Sequence, residues 1–399
     1  MLINFEVTNF RSFKETATFS MEAATKGTGS MQFNSTNTMK VGKHKLLKSA
    51  VVFGANASGK SNLMKAVYAL YLIVTNSTKD STEKIFTNTF AFNNENTKFT
   101  IQFIKNRKHF FYTLEYNEDE VVFEELLIDE KFFLGRKAQQ FSIPEQLEQF
   151  KKSIRKNQLL LFVAQSFNIE EAMEAFSWFK QDLFFLNDSG KSNPLFEALK
   201  DYSFKNKFLA ILKEADFNII DVEIIEKPLA PINIIIGDIV ASEDSIIVSH
   251  IRDNGEIFKI RFDDESRGTK VFAMIVFYLI MSSKDIGKII LIDEFNSSFH
   301  LALALQILDL IHREKQNNQF ILTTHETSLM DYGLRQDQIY FTEKNEFGET
   351  EIFSLFDFDD PLLMSKNPKY KKNYLIGRFG AVPSLDPFTL KRILEGDDE

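Results

Sequence analysis

Cysteine is absent from the 399 residues of this chain. Its absence excludes disulfide bonds, thiolate metal sites and cysteine nucleophiles, and it favours the cytosol over an oxidising compartment. Long apolar segments are missing as well, because the longest one, residues 271–281, is shorter than the ~20 residues of a membrane-spanning helix. The N-terminal residues lack the basic and apolar regions of a signal peptide and are predicted to form a strand. We therefore expect a cytoplasmic protein without membrane contact.

An excess of basic charge is also missing. Lys and Arg number 47 against 56 Asp and Glu, which gives a formal net charge of −9. This balance argues against a protein dedicated to coating nucleic acid. Local basic patches remain at 105–108, 151–156 and 366–378, and a solvated surface is the favoured interpretation of the first two. Hydrophobic residues make up 44% and charged residues 26% of the chain, as in an ordinary globular protein.

The strongest motif begins with the short β-branched run 50–53. It continues as Gly-Ala-Asn-Ala-Ser-Gly-Lys-Ser and then as a segment with helical apolar spacing, which together predict a P-loop between a strand and a helix. Backbone N–H groups and the helix N-terminus in such a loop bind phosphates. Lys60 is expected to reach the β- and γ-phosphates, and Ser61 to ligate Mg²⁺. The predicted nucleotide-binding residues are Gly54, Ala55, Asn56, Ala57, Ser58, Gly59, Lys60, Ser61 and Asn62.

Two later apolar segments end in chemically active side chains. Residues 288–292 lead into Asp293, predicted to lie in the Mg²⁺ shell, and Glu294, predicted to polarise the attacking water. Residues 319–324 lead into His325, which we expect to hydrogen-bond a γ-phosphate oxygen. Taken alone, the acidic pair could end a core strand in a solvated turn, and a lone histidine at a strand end is usually structural. Their order after a P-loop favours the catalytic interpretation.

A capped-helix pattern at 265–281 precedes the acidic strand. Ser266 is the predicted N-cap, and Gly268 permits close backbone approach. Because such a helix start binds anions and the chain's own phosphates are assigned to Lys60, this second site is expected to face another subunit. Two ATP molecules would then lie between two copies of the chain. Read by itself, the segment would be interpreted as an ordinary helix cap.

This set of motifs resembles the parts of an ABC-type ATPase head. Residues 5–13 are similar to the first strand of the RecF/SMC-like branch, in which Arg11 matches a basic position that faces nucleotide. Residues 294–300 resemble that branch's D-loop, which contacts the partner subunit. Four segments resemble the AAA/ABC-type ATP-binding proteins of two-gene bacterial abortive-infection systems, of the AbiL and PARIS kind: 265–270, 323–329, 334–341 and 374–383.

The chain departs from the family pattern at a few positions. Arg267 stands where ABC signatures usually carry Gly, or this family Asp, so phosphate contact in trans is expected to be altered. Leu301 replaces a Pro that often follows the D-loop His. No glutamine is assigned to a Q-loop, since Gln102 is strand-like and Gln165 lies in the region between the P-loop helix and the signature.

The implied fold class is α/β, a P-loop NTPase of the ABC-head type with a mixed sheet, an antiparallel β layer and an inserted helical lid. We predict a head built from residues 1–76 and 251–399, an antiparallel β part at 77–143, and a helical lid with return strands at 144–250. No heptad pattern is sustained over several repeats, so long coiled coils are not expected.

The resemblance implies an ATP-hydrolysing sensor of an anti-phage abortive-infection system. ATP and Mg²⁺ would close a dimer or a larger homo-oligomer. This assembly would control a separate toxic effector, a nuclease from a neighbouring gene, in response to a phage-encoded trigger.

A RecF-like DNA-repair ATPase that contacts DNA is the alternative, and the net charge and the missing basic stripe argue against it. A third hypothesis is a scaffold that binds ATP but scarcely hydrolyses it. Glu294, the residue predicted to polarise the attacking water, argues against it. A transporter motor does not fit the long insert.

Overall fold

Parts of three predicted segments lie outside the residues that the structure describes: 296–298 of the D-loop-like segment, 366–368 of the third basic patch, and Pro383. The structure, a computed structural model, describes residues 1–25, 36–186, 193–215, 217–226, 234–236, 239–241, 244–281, 287–295, 299–313, 317–359, 369–382 and 391–392.

The described residues form a mixed α/β structure. Its strands are β1 (Leu2–Thr8), β2 (Ala17–Ser20), β3 (Thr38–Val41), β4 (His44–Leu47), β5 (Ser49–Phe53), β6 (Thr97–Lys105), β7 (Lys108–Tyr116), β8 (Val121–Ile128), β9 (Lys131–Lys137), β10 (Gln140–Ser142), β11 (Leu183–Leu186), β12 (Ile219–Ile225), β13 (Ile234–Ile236), β14 (Ile239–Ala241), β15 (Ser245–Ile251), β16 (Ile257–Arg261), β17 (Ile289–Ile292), β18 (Gln319–Thr323), β19 (Ile339–Lys344) and β20 (Thr350–Ser354). Its α-helices are α1 (Lys60–Thr75), α2 (Leu160–Ser166), α3 (Glu170–Asp182), α4 (Asn193–Leu199), α5 (Tyr202–Glu214), α6 (Arg267–Met281), α7 (Leu301–Ile311) and α8 (Tyr370–Leu375).

A six-stranded sheet carries the motifs. Its order is β11-β17-β18-β5-β19-β20, and every neighbouring pair is parallel except the last, which is antiparallel. Strand β5 shows why the sequence folds this way: Ala50 and Val52 enter one hydrophobic core, and Val51 and Phe53 enter the other. A strand buried on both faces needs a continuous apolar run, as the sequence has there. This arrangement aligns the carboxyl ends of β17, β18 and β5 at one edge.

A seven-stranded antiparallel sheet, β10-β9-β8-β7-β6-β1-β2, covers one face of the six-stranded sheet. Between the two lies the first core, which also contains the buried faces of α1, α2 and α3. Trp178 of α3 is fully buried and stacks on Phe103 of β6, with ring centroids 4.2 Å apart. Helix α3 is therefore part of the head's own core, because burying so large an apolar surface stabilises that position.

The second core lies on the opposite face of the six-stranded sheet. It contains side chains of α4, α5, α6, α7 and α8, together with the three-stranded antiparallel sheet β12-β15-β16. Phe204 of α5 contacts Phe277 of α6, with ring centroids 5.9 Å apart. Nowhere in the described ranges does a helix have both the length and the apolar character needed to cross a membrane.

The structure divides the segment predicted as one helical lid. Helices α2 and α3 pack in the first core, β11 joins the six-stranded sheet beside β17, and α4, α5 and β12 pack in the second core. The physical reason is that the segment carries two separate sets of apolar side chains, and each is buried on a different face of the central sheet. Periodicity within the segment predicted its helices but not this separation.

Candidate functional site

The loop between β5 and α1 has the sharp backbone that its glycines predict. Gly54 and Gly59 have φ values of 156° and 116°, which side-chain-bearing residues rarely adopt. A Cβ on Gly54 would lie 2.6 Å from the Thr342 carbonyl oxygen, and one on Gly59 would lie 2.5 Å from the Thr350 side chain. Both positions therefore require glycine for the loop to wrap at this distance from β19 and β20.

Hydroxyl groups of residues that are distant in sequence hold the loop on its side facing β19 and β20. Ser58 Oγ and Thr342 Oγ1 are 2.6 Å apart in a buried hydrogen bond. Thr350 Oγ1 lies 2.9 Å from the Ser58 carbonyl oxygen and 2.8 Å from Ser12 Oγ. Ser12, Thr342 and Thr350 were not predicted as site residues, because nothing in their local sequence marks them as neighbours of the loop.

Lys60 begins α1 and points back into the loop. Its Nζ donates to the carbonyl oxygens of Gly54, at 2.9 Å, and Ala55, at 2.8 Å. Burial lowers the pKa of Lys60 to about 8, and the nearby carboxylates of Asp293 and Glu294 oppose that shift. The ammonium group is thus held at the mouth of the loop by neutral acceptors, which an anionic ligand of higher charge can replace.

The N-terminus of α1 opens into the same space. Gly59 is the N-cap, and no side chain among the described residues caps this helix. The first N–H groups of a helix carry partial positive charge and have no partner within the helix. The end of α1 can therefore receive phosphate oxygens, as the P-loop pattern predicts.

Asp293 and Glu294 follow β17 at the same sheet edge. Ser61 Oγ donates to Asp293 Oδ1 at 3.1 Å, so the two predicted metal ligands are in contact. Thr323 Oγ1, at the end of the adjacent strand β18, donates to the same Asp293 oxygen at 2.5 Å. The Glu294 side chain is half exposed, and its backbone φ is 52°. One residue of the acidic pair is therefore fixed by hydroxyls, while the other reaches toward solvent.

The oxygen donors present suit Mg²⁺. A hydroxyl and a carboxylate are the hard ligands that Mg²⁺ prefers, and it is usually held by one or two carboxylates plus substrate phosphates. Ser61 and Asp293 supply that set beside the phosphate loop. Within the described ranges, no group of three His, Asp or Glu residues forms a separate metal-binding cluster.

His325 lies beside Lys60 after β18. Its Nδ1 is 3.4 Å from Lys60 Nζ, and it lines the cavity above the loop. Burial and the charge of Lys60 lower the pKa of His325 below its usual value, so the imidazole is neutral at pH 7. A neutral imidazole can hydrogen-bond a phosphate oxygen.

A cavity of about 740 Å³ extends from the loop to the C-terminal segment. Tyr374, Leu375, Ala381 and Val382 form its far wall. Tyr374 Oη donates to the Ala381 carbonyl oxygen at 2.8 Å, which closes the turn after α8. None of these four residues was predicted as a site residue, and their signal in the sequence is the resemblance of residues 374–383 to the family.

Arg11 lies in the turn after β1, and Asn62 of α1 contacts that turn. Asn62 Nδ2 donates to Ser12 Oγ at 2.7 Å, so the Asn62 side chain joins α1 to the turn after β1. The Arg11 backbone N–H donates to the Asn88 carbonyl oxygen at 2.6 Å. Arg11 Nε is buried and has no hydrogen-bond partner among the described residues. The turn that carries Arg11 is therefore anchored to the first turn of α1.

The predicted second anion site begins α6. The Thr269 N–H donates to Ser266 Oγ at 3.1 Å, so Ser266 caps the helix, and Gly268 lies in its first turn. Arg267 instead turns toward the acidic residues of its own chain. Its Nη2 donates to the Asp293 carbonyl oxygen at 3.3 Å, and its Nη1 is 3.7 Å from Glu294 Oε2. The structure thus brings together Lys60, Ser61, Asp293 and His325, and it keeps Ser266 in a separate cap.

The chain matches a known protein family over most of its length. The family model described as "AAA domain, putative AbiEii toxin, Type IV TA system" matches residues 49–331. The chain belongs to this AAA family. The match includes the phosphate loop, the acidic pair and His325 of the AAA domain. No curated protein matches the chain.

Solved structures similar to this AAA protein include three SMC heads. One is bound to the C-winged helix domain of ScpA and has 13% identity, coverage of 88% of this chain and 97% of the other, and a TM-score of 0.42. An SMC head domain from Thermotoga maritima has 11% identity, coverage of 88% and 98%, and a TM-score of 0.39. A head with an extended coiled coil, bound to the C-terminal domain of ScpA derived from Pyrococcus furiosus, has 12% identity, coverage of 88% and 96%, and a TM-score of 0.43.

The predicted α/β P-loop NTPase class is confirmed for this AAA protein, whereas its predicted helical lid is divided between the two cores. The family match and the observed parallel sheet with its antiparallel β layer agree with an α/β P-loop NTPase of the ABC-head type.

Proposed function

We propose that this AAA protein binds ATP with Mg²⁺ and hydrolyses it slowly. The observation that carries the proposal is the convergence of Lys60, Ser61, Asp293 and His325 on one phosphate loop at the carboxyl edge of the parallel sheet. These residues follow the carboxyl ends of three adjacent strands, β17, β18 and β5, and this edge is where ligands bind in α/β sheets. Their chemical types match the needs of phosphoryl transfer to water.

Each side chain then has a separate role. The Lys60 ammonium leaves the Gly54 and Ala55 carbonyl oxygens and binds the β- and γ-phosphates. Ser61 and Asp293 hold Mg²⁺, which neutralises charge on the phosphates when bound. Glu294, half exposed beside this set, accepts a proton from the attacking water. His325 hydrogen-bonds a γ-phosphate oxygen, and Arg11, in the turn that Ser12 joins to α1, is assigned a further nucleotide contact.

The proposed active form is a dimer with two ATP molecules between its subunits. The start of α6 is assigned to the partner's phosphates, through Ser266 and the backbone at Gly268. Because Arg267 turns toward its own Asp293 and Glu294, the contact in trans is left to Ser266 and Gly268. This explains how a chain with Arg at the signature can still use that helix start.

Mixing two defective variants tests the sandwich. Lys60→Ala removes phosphate binding in cis, and Ser266→Asp keeps a good N-cap while placing a negative charge against the partner's phosphates. Each variant alone is expected to lose ATP turnover. A one-to-one mixture should recover about a quarter of wild-type turnover, because half of the dimers are mixed and each of these has one intact site.

The matched control is Ser266→Asn, which caps as well as Asp without the charge. It should keep ATP-dependent dimerisation. Dimerisation is measured as the change in native mass between samples with and without ATP. No recovery in the mixture of Lys60→Ala and Ser266→Asp would contradict the shared site. Loss of dimerisation in Ser266→Asn as well as Ser266→Asp would show that the loss of the serine side chain, and not the added charge, was responsible.

We further propose that the ATPase is the sensor of a cytoplasmic abortive-infection system of the AbiL and PARIS kind. The matching family's description names the AbiEii toxin and a Type IV TA system, which supports a link to growth-arresting systems. ATP-driven assembly would hold a separate effector, a nuclease from the neighbouring gene, until a phage-encoded trigger releases it. The ATP-dependent step belongs to this chain and the toxic step to its partner.

Co-expression with the neighbouring gene tests this role. Cells carrying both genes should resist phage, whereas cells carrying both genes with Lys60→Ala should be infected like cells without the system. The Glu294→Gln protein, trapped with ATP, should retain the neighbouring gene's product during purification. Equal resistance with Lys60→Ala would contradict ATP-dependent control, and equal infection with and without the intact pair would contradict the defence role.

DNA repair of the RecF kind remains the alternative, but the first two basic patches do not favour it. Lys105 pairs with Asp182 and Lys108 with Glu174, each at 2.6 Å, and Lys151 lies 3.5 Å from Glu148. Partnered lysines offer less positive potential to a phosphate backbone.

A further inference from the structure

Thr323 carries a buried hydroxyl group, which contacts both Asp293 and Glu294. It is the last residue of β18, its exposed fraction is 0%, and it follows Leu322, which pairs with Ile292 of β17. Parallel pairing at this register places the end of β18 beside the turn that carries Asp293 and Glu294. The position of Thr323 is therefore set by the sheet and not by a loop.

The hydroxyl has two hydrogen bonds of opposite direction. Thr323 Oγ1 donates its proton to Asp293 Oδ1 at 2.5 Å. It also accepts from the Glu294 backbone N–H at 2.8 Å. Because a threonine hydroxyl has one proton to donate, these two bonds fix its rotation completely. A single buried oxygen thus contacts both acidic residues.

Both contacts act on groups whose orientation matters. Glu294 has a φ of 52°, a left-handed conformation that is unfavourable for a non-glycine residue. The bond from its N–H to Thr323 helps to hold that conformation. Asp293 Oδ1 also accepts from Ser61 Oγ at 3.1 Å, and the Ser61 hydroxyl can keep donating its proton while an oxygen lone pair binds a metal ion. The bond from Thr323 can persist as well, because Thr323 lies on the sheet side.

We propose that Thr323 is a positioning residue that orients Asp293 toward Mg²⁺ and Glu294 toward the attacking water. The inference rests on the proposed function of this site and adds a residue outside the phosphate loop and the acidic pair. Thr323 acts only through Asp293 and Glu294. Outer partners of metal-binding side chains typically change metal affinity by about 10–100-fold when they are removed.

Three variants separate this role from a structural one. Thr323→Val keeps the shape and removes the hydroxyl, whereas Thr323→Ser keeps the hydroxyl. Thr113→Val is the matched control, because Thr113 is a buried threonine of β7 in the other sheet, 5% exposed. Binding of a fluorescent ATP analogue is titrated with Mg²⁺ for each protein, and kcat and KM are measured at saturating Mg²⁺.

In Thr323→Val, we expect the Mg²⁺ concentration for half-maximal binding to rise by about 10–100-fold. Its nucleotide affinity without Mg²⁺ should stay at the wild-type value, and its kcat should fall more than its KM changes. Thr323→Ser should restore the wild-type Mg²⁺ titration, and Thr113→Val should keep it.

Two results would overturn the inference: a wild-type Mg²⁺ titration in Thr323→Val, or an equal shift in Thr113→Val, which would indicate a general loss of stability. Failure of the wild-type protein to bind the analogue at all would instead contradict the proposed function. The two failures are thus distinguishable.

Discussion

Replacing Glu294 with glutamine is expected to reduce ATP turnover by about 10²–10⁴-fold, the usual contribution of a positioned general base. The amide has nearly the same shape but cannot accept a proton from water. The nucleotide contacts of Lys60, Ser61 and Asp293 are unchanged, so ATP should still bind. With hydrolysis blocked, the ATP-bound dimer should accumulate, which native mass measured with and without ATP will detect.

The matched control is Glu351→Gln, which removes an exposed carboxylate from β20 of the same sheet. It should turn over ATP and assemble like the wild type. Wild-type turnover by Glu294→Gln would exclude Glu294 as the base. Slow turnover without an ATP-dependent change in mass would retain the catalytic role and contradict the sandwiched dimer.

Replacing Lys60 with alanine is expected to weaken ATP binding by about 10–150-fold, since hydrogen bonds to charged groups are worth about 1.5–3 kcal/mol. Lys60 is the buried cation at the loop, held by the Gly54 and Ala55 carbonyl oxygens. Lys65→Ala is the control on the same helix, because Lys65 is exposed. Calorimetric titration with ATP compares the three proteins. Equal affinities for all of them would contradict the assignment of the phosphate site.

The pH dependence of binding gives a second measurement on Lys60. Its pKa is about 8 in the free protein, and bound phosphates favour the charged form and raise it. Below pH 8 the ammonium is already present, so affinity should be nearly independent of its titration. Above pH 8 binding requires proton uptake, and affinity should fall by up to about tenfold per pH unit. Lys60→Ala should lack this fall.

The sequence by itself identified the candidate site residues that lie within contiguous segments. An apolar strand, a Gly-rich turn and a helix carrying Lys60 and Ser61 can be recognised in one window, because each element is specified by local residue types. The same holds for Asp293, Glu294 and His325 at strand ends, and for Ser266 as a helix cap. The α/β class followed from these elements and their order.

Only the tertiary structure decided which distant groups meet at the site. Thr342 and Thr350 hold the phosphate loop from nearly 300 residues away in sequence, and Thr323 contacts Asp293 from the adjacent strand. These contacts depend on sheet order and register, which the apolar pattern of one strand does not encode. The same limit applies to the segment predicted as a helical lid. Local periodicity predicted its helices, but the face of the sheet on which each helix is buried depends on long-range packing.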